Sequence, residues 1–188
     1  MSYKYEFCVV HCTATPEGRD VPIDVLDSWF KAKPPKGRGW SKPGYRTVID
    51  RYGKAHDMID YDNDQVLEWD EVTYGAKGFN TKSIHISYIG GVDEMMQAKD
   101  TRTEAQWLAL EYHMKVILSY HPDIKFIGHN QISAKACPSF DVIDFCKSIC
   151  VPNKNIGYMP AQIIDAGVED VFDFPVGTVE EYFGISNI

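Results

Sequence analysis

The amino-acid sequence predicts an α/β fold with a mixed central β-sheet flanked by helices. Apolar, strand-like segments alternate with amphipathic, helix-like segments along the first 150 residues, a pattern typical of a sheet covered by helices. Two short strand-like segments flank a Tyr52-Gly53 turn, and this hairpin makes the sheet mixed rather than purely parallel. A hydrophobic content of 44% in 188 residues is sufficient for a globular core.

The first half of the chain supplies two strands, a helix and the hairpin. "YEFCVVHCT", residues 5–13, is apolar on both faces and predicts a buried strand that ends near His11. "VPIDVLDSWFKAK", residues 21–33, predicts a helix, with an apolar stripe of Ile23, Leu26, Trp29 and Phe30. The hairpin spans residues 44–59, and "KSIHISYIGG", residues 82–91, predicts another strand that two glycines end.

The second half predicts a helix, a short strand and a last helix. "TRTEAQWLALEYHMKVILSYH", residues 101–121, has the clearest helical spacing, and Thr101 with Glu104 fits a capping box. "IKFIGH" predicts a short strand that ends near His129. The segment after Cys137 predicts the last helix, which Pro138 can start.

The composition changes after Cys150. Residues 151–188 contain one lysine and six acidic side chains, which gives −5 of the total net charge of −8. We therefore predict two units: a domain of residues 1–150 that carries the chemistry, and an acidic C-terminal extension of residues 151–188 whose role the sequence does not indicate.

Charge and cysteine content limit the classes of partner. The net charge of 19 − 27 = −8 disfavours nucleic acid, because phosphate binding depends on clustered basic residues. Five cysteines are an odd number without framework spacing and are expected to be reduced. No segment has the roughly 20 apolar residues of a membrane span, and the start does not fit a secretory signal. We expect a monomer that is synthesised in the cytoplasm.

Two potential metal ligands occur at predicted strand ends, and a third lies in the loop that follows. His11 ends the first strand, His129 follows a later strand, and Cys137 lies eight residues further on. If the two strands are neighbours, both imidazoles converge at one sheet edge, and three protein ligands with one open position are typical of catalytic zinc. A buried core histidine and an inert cysteine are the alternatives, and spacing alone leaves them open. The other histidines show no shared spacing, and His113 and His121 are expected at the surface of the long helix.

The sequence resembles a known family. "VVHCTAT", "GYRTVIDRYGKAH", "GAKGFNTKSIHISYIGG" and "KACPSFD" occur in the same order in zinc-dependent N-acetylmuramoyl-L-alanine amidases of the phage-lysozyme type, which are relatives of peptidoglycan recognition proteins. The resemblance spans residues 7–149. It implies an amidase or peptidoglycan-recognition-protein-like fold, and it implies hydrolysis of the amide bond between N-acetylmuramic acid and L-alanine in peptidoglycan.

The resemblance also assigns roles to single residues. It implies one Zn²⁺ per chain, held by His11, His129 and Cys137. It implies Tyr45 and Lys135 as catalytic groups, and Asn80 as a substrate-binding residue. We therefore expect a phage or prophage endolysin that reaches the cell wall after the membrane is breached.

Three positions depart from the family pattern. Gly75 stands where the family commonly has histidine, Arg46 stands where histidine is frequent, and His85 stands where a small residue is usual. These departures border the expected groove and leave the metal ligands intact. A non-catalytic muropeptide-binding module is the first alternative, although Cys137 counts against it. A glycosidase or endopeptidase that acts on the same wall is the second.

The acidic segment Asp60–Glu71, "DYDNDQVLEWDE", partly follows a calcium-binding loop. Acidic residues occupy the first, third, fifth and twelfth places, but Gln65 stands at the sixth place, where such loops need glycine. We favour a solvated acidic loop, with Ca²⁺ as the weaker alternative.

Overall fold

The computed structural model describes residues 3–158; most of the predicted extension therefore lies outside the described residues. The strands are β1 (Tyr3–Lys4), β2 (Phe7–Cys12), β3 (Thr15–Pro16), β4 (Thr47–Ile49), β5 (Ala55–Asp57), β6 (Val66–Leu67), β7 (Ser83–Tyr88), β8 (Gly91–Val92) and β9 (Lys125–Gly128). The helices are α1 (Ile23–Lys31), α2 (Glu104–Tyr120) and α3 (Val142–Ser148). None of these helices is long and apolar enough to cross a membrane.

The central sheet has five strands in the order β5-β4-β7-β2-β9. The β4–β5 hairpin is antiparallel and the other pairs are parallel, which confirms the predicted mixed sheet. Strand β2 lies between β7 and β9, and its apolar run is buried because it has neighbours on both sides and on both faces. In this register Val9 is opposite His85 and Ile127, and His11 is opposite Ser87.

Helices cover both faces of the sheet. On one face, α2 and α3 pack against alternate side chains of β2, among them Val10, in the largest hydrophobic cluster. On the other face, Leu26, Trp29 and Phe30 of α1 pack with Val48 of β4. Side chains alternate along a strand, so His11 projects on the same side as Val9, opposite the α2–α3 layer.

The start of α2 differs from the predicted start. The capping box consists of Thr103 and Gln106: the Thr103 hydroxyl oxygen accepts from the Gln106 amide at 3.1 Å, and the Gln106 side-chain oxygen accepts from the Thr103 amide at 3.0 Å. The predicted pairing of Thr101 with Glu104 is therefore wrong. Thr101 instead accepts a hydrogen bond from the Gly91 amide at 2.7 Å.

The start of α3 also lies later than predicted. The helix begins at Val142 because the Asp141 carboxylate caps it, accepting from the Asp144 amide at 3.0 Å. Pro138 therefore belongs to the preceding loop.

His121 was expected at the surface of the long helix, and this prediction is wrong. His121 is 5% exposed, and its ring packs on Tyr5 with centroids 4.5 Å apart.

The acidic segment Asp60–Glu71 is organised by its last residue. The Glu71 carboxylate is buried and accepts three hydrogen bonds, from the Tyr5 hydroxyl at 3.0 Å and from the Asp62 and Glu68 amides at 3.2 Å each. Glu71 thus holds both ends of the loop against the first strands. Its oxygens have a structural role in the described part of the chain.

Residues 151–158 pack against the sheet domain. Val151 and Ile156 are buried, and the Gly157 amide donates to the Phe126 carbonyl of β9 at 2.9 Å. Asn155 is fully buried, and its amide group donates to the Pro122 and Ile124 carbonyls at 2.9 and 2.8 Å. The beginning of the predicted extension therefore contributes to the edge of the sheet at β9.

Candidate functional site

His11 and His129 meet at the carboxyl-terminal edge of the sheet. His11 lies near the end of β2, and His129 directly follows β9, the parallel neighbour of β2. Both side chains are buried, and their ring centroids are 4.6 Å apart. The proximity expected from two adjacent parallel strands is therefore present.

Cys137 reaches the same point from the loop that follows β9. Its Sγ lies 3.6 Å from His11 Nδ1 and accepts a hydrogen bond from the Cys12 amide at 3.2 Å. The loop is closed by the Asn130 amide, which donates to the Cys137 carbonyl at 2.6 Å. One ligand atom from each of His11, His129 and Cys137 lies within 4.8 Å of the others.

The donor set fits zinc. Tetrahedral zinc with Zn–N near 2.05 Å and Zn–S near 2.3 Å separates nitrogen from sulfur by about 3.6 Å, and the His11 Nδ1 to Cys137 Sγ distance is 3.6 Å. Two imidazoles and one thiolate form a mixed set that zinc accepts. Three protein ligands leave one position for water or substrate.

Burial sets the protonation of the ligand groups. Burial holds the pKa of His11 well below its ordinary value, and the nearby His129, His85 and Lys135 act in the same direction. The imidazole is therefore neutral and has a lone pair for a metal. Burial also raises the pKa of the Cys137 thiol well above its ordinary value, and a coordinated cation reverses this because it deprotonates the thiol.

With Pro138 as the start of the last helix, as the sequence predicted, the Cys137 sulfur would lie beside the positive end of the helix dipole. Because α3 begins at Val142, Cys137 lies four residues before the Asp141 cap. The Cys12 amide, rather than a helix end, donates a hydrogen bond to the Cys137 sulfur. The ligand thus depends on β2 as well as on its own loop.

Tyr45 and Lys135 line the same open cleft as the three candidate ligand residues. The Tyr45 hydroxyl donates to the Cys12 carbonyl at 3.3 Å, and its ring lies 5.1 Å from the His11 ring. Phe30 packs edge-on against Tyr45 with centroids 5.4 Å apart. Two polar donors therefore border the three residues that could hold a metal.

Aromatic side chains form one wall of this cleft. Trp40 stacks on Phe30 with centroids 5.9 Å apart and an interplanar angle of 7°, and Tyr74 meets Trp40 edge-on at 5.9 Å. The Arg38 guanidinium lies 5.1 Å from the Trp40 ring. Sequence reasoning missed this wall, since Phe30 comes from α1 whereas Trp40 and Tyr74 come from two separate loops.

Asn80 has a different setting. Its side-chain oxygen accepts a hydrogen bond from the Ala76 amide at 2.8 Å, and it is not among the described residues that line the cleft. It orders the loop that begins at Gly75, which does reach the cleft. Its predicted part in substrate binding stays a prediction.

His85, one of the three departures from the family pattern, is a third histidine beside the ligand residues, and its contact with His11 was not predicted. It is 0% exposed, and its Nδ1 lies 3.0 Å from His11 Nε2. Burial, followed by the charge of His129, lowers the pKa of His85 to about 3. Only the register between β2 and β7 could have located it, because the two histidines are 74 residues apart.

Comparison with known proteins gives one family for most of the chain. The family described as N-acetylmuramoyl-L-alanine amidase matches residues 1–140. The endolysin of Escherichia phage T7 is 30% identical over 135 residues, which are 71% of this chain and 80% of the phage protein. The endolysin of Enterobacteria phage K11 is 30% identical over 139 residues, which are 74% of this chain and 83% of that protein.

Solved structures show the same fold. N-acetylmuramoyl-L-alanine amidase LysC from Clostridium intestinale URNW aligns with a TM-score of 0.60 at 18% identity, covering 79% of this chain and 87% of that one. PGRP-SA of Apis mellifera aligns with a TM-score of 0.61 at 18% identity, covering 85% and 91%. These likenesses confirm the predicted fold class.

Proposed function

Because the chain belongs to the N-acetylmuramoyl-L-alanine amidase family, we propose that it hydrolyses the amide bond between N-acetylmuramic acid and L-alanine in peptidoglycan. The observation that carries this proposal is the cluster of two histidines and a cysteine at the floor of an open cleft. Its phage relatives are endolysins, and the proposed role is lysis of the cell wall once the membrane is breached.

We assign one zinc ion to His11, His129 and Cys137. The 3.6 Å separation of His11 Nδ1 from Cys137 Sγ and the neutral state of His11 support this assignment. Zinc in such a site polarises a carbonyl and lowers the pKa of bound water towards about 7.

Lys135 is proposed to stabilise the charge that develops on the amide oxygen. It lies in the loop between His129 and Cys137, and it lines the cleft beside them. An ammonium group has three donors and no acceptor, so it can bind an oxyanion without becoming a base. A donor aimed at the developing charge contributes most where water is excluded.

Tyr45 is proposed to hold and move a proton. Its hydroxyl donates to the Cys12 carbonyl at 3.3 Å, a long bond that a substrate group can replace. A phenol both donates and accepts, so it can pass a proton to the departing L-alanine amine. Phe30 fixes the direction of the Tyr45 ring.

The aromatic wall is proposed to receive the glycan side of the substrate. Trp40 presents a ring that Phe30 and Tyr74 hold in place, and rigid aromatic surfaces suit the apolar face of a sugar ring. The polar floor then faces the lactyl–alanine amide. This arrangement orients the scissile bond over the metal-binding residues.

The test is a matched pair of cysteine variants. The parent is expected to hold about one zinc ion per chain, and Cys137→Ala is expected to lose both zinc and lysis. Cys150→Ala is the control, because Cys150 is exposed and should retain both. Products from purified cell walls identify the bond, since new L-alanine amino termini with intact glycan indicate the amidase.

Other products would overturn the proposal. New reducing ends would indicate a glycosidase, and cleavage within the stem peptide would indicate an endopeptidase. Tight binding of muropeptides without any product would indicate a binding module. An active Cys137→Ala protein without zinc would show that the metal assignment is wrong.

A further inference from the structure

A histidine pair crosses between two strands of the central sheet. Val9 of β2 is opposite His85 of β7, so His85 lies one diagonal step from His11 on the same face. The two rings are 5.2 Å apart between centroids, and His11 Nε2 to His85 Nδ1 is 3.0 Å. This distance is that of a hydrogen bond between the rings.

The direction of this hydrogen bond follows from the other nitrogen of His11. His11 Nδ1 faces Cys137 Sγ at 3.6 Å, so this nitrogen needs its lone pair if it is to bind a metal. A neutral imidazole carries one proton, which must then lie on His11 Nε2. His85 Nδ1 therefore accepts the bond, and the proton of His85 lies on its own Nε2.

The surroundings keep His85 in this position. A Cβ at position 75 would lie 2.4 Å from His85 Cγ and 2.5 Å from His85 Nδ1, so only glycine leaves room for the ring. His85 Nε2 has no hydrogen-bond partner among residues 3–158. The bond with His11 is thus the polar contact that orients the His85 ring there.

We propose that His85 is a positioning residue that accepts a hydrogen bond from His11 Nε2 and thereby turns His11 Nδ1 towards the metal. The second nitrogen of a metal-binding histidine usually donates to a carboxylate, a carbonyl or water, which fixes the tautomer and the ring direction. Here a neutral, buried imidazole performs that function without adding negative charge. This inference rests on the proposed zinc site.

Two variants of His85 separate hydrogen bonding from packing. His85→Asn can place an amide oxygen near the position of Nδ1, whereas His85→Leu has similar bulk and no acceptor. Zinc affinity is measured by competition with a chromophoric chelator. We expect His85→Leu to bind zinc about 10–100-fold more weakly than the parent, and His85→Asn to recover most of that loss. Equal affinity of parent and His85→Leu would overturn the proposal, as would equal loss in both variants.

A measurement on the unmodified protein does not depend on how the variants fold. Long-range proton–nitrogen NMR correlations assign the tautomer of each histidine in the zinc-free protein. We expect protons on Nε2 of both His11 and His85; a proton on His85 Nδ1 would overturn the inference. If the parent binds no zinc but the tautomers are as expected, the proposed metal function fails while the hydrogen bond between the rings stands.

Discussion

Asn155→Ala tests whether the sheet domain extends past residue 150. Asn155 is 0% exposed, and its side-chain amide satisfies the Pro122 and Ile124 carbonyls beside β9. Ile124 is buried, and its carbonyl left without a donor costs about 1–3 kcal/mol. Pro122 is exposed, so its carbonyl can bind water once the amide is gone. The expected loss is about 1–3 kcal/mol in the free energy of unfolding.

The assay is urea unfolding of the full-length chain at fixed zinc concentration, repeated in chelator because bound metal adds stability of its own. Asn153→Ala is the matched control: Asn153 is exposed and begins the same short 3₁₀ turn. For a chain of this size, the expected loss lowers Tm by roughly 2–12 °C.

Asn155→Ala must therefore unfold at a lower urea concentration than Asn153→Ala. If Asn155→Ala unfolded at the same urea concentration as Asn153→Ala, residues 151–158 would contribute nothing to the domain. The predicted boundary after residue 150 would then describe the folding unit. Activity at a temperature well below the transition should be unchanged in both variants, because the packing site lies at β9 and not in the cleft.

Two further outcomes are expected. Tyr45→Phe and Lys135→Met should each lower kcat about 10²–10³-fold while the zinc content stays at the parent value. Tyr52→Phe is the control, because Tyr52 is exposed. Loss of zinc in either Tyr45→Phe or Lys135→Met would contradict a role towards substrate. Burial, aided by Arg46, lowers the pKa of His121 to about 4, while the unfolded chain has about 6.5. Between about pH 4 and about pH 6.5, the unfolded state therefore binds more protons than the folded state. His121 thus lowers the free energy of unfolding by about 3 kcal/mol as pH falls from about 6.5 to about 4. Urea titrations across this range should show a smaller acid loss for His121→Gln, and identical losses would refute the assignment.

Elements with a complete local pattern were predictable from the sequence. The apolar run of β2 and the stripe of α1 need no knowledge of their neighbours. The start of α2 was not predictable, because Thr101 with Glu104 and Thr103 with Gln106 both fit a capping box. Tertiary contacts decide between them, since the Gln106 side chain also donates to the Ile89 carbonyl at 2.9 Å and the Thr103 hydroxyl donates to the Arg51 carbonyl at 2.8 Å.

The candidate site also contains residues that were predictable from the sequence and residues that were not. His11 and His129 were predictable because one lies near the end of a strand and the other directly follows a strand, and the family resemblance joined Cys137 to them. His85 was not, because its partner is fixed by the pairing of two strands far apart in sequence. The burial of His121 was not predictable for the same reason, because it depends on Tyr5, which lies near the start of the chain.

The position of β2 between two later strands has a consequence for the order of events during synthesis. A ribosome releases His11 early, but β7 and β9, the sheet neighbours of β2, emerge only after most of the domain has been made. The sulfur ligand follows His11 by 126 residues. Lytic competence is therefore among the last properties that the nascent chain acquires, and a product that stops before residue 137 lacks one of the three proposed zinc ligands.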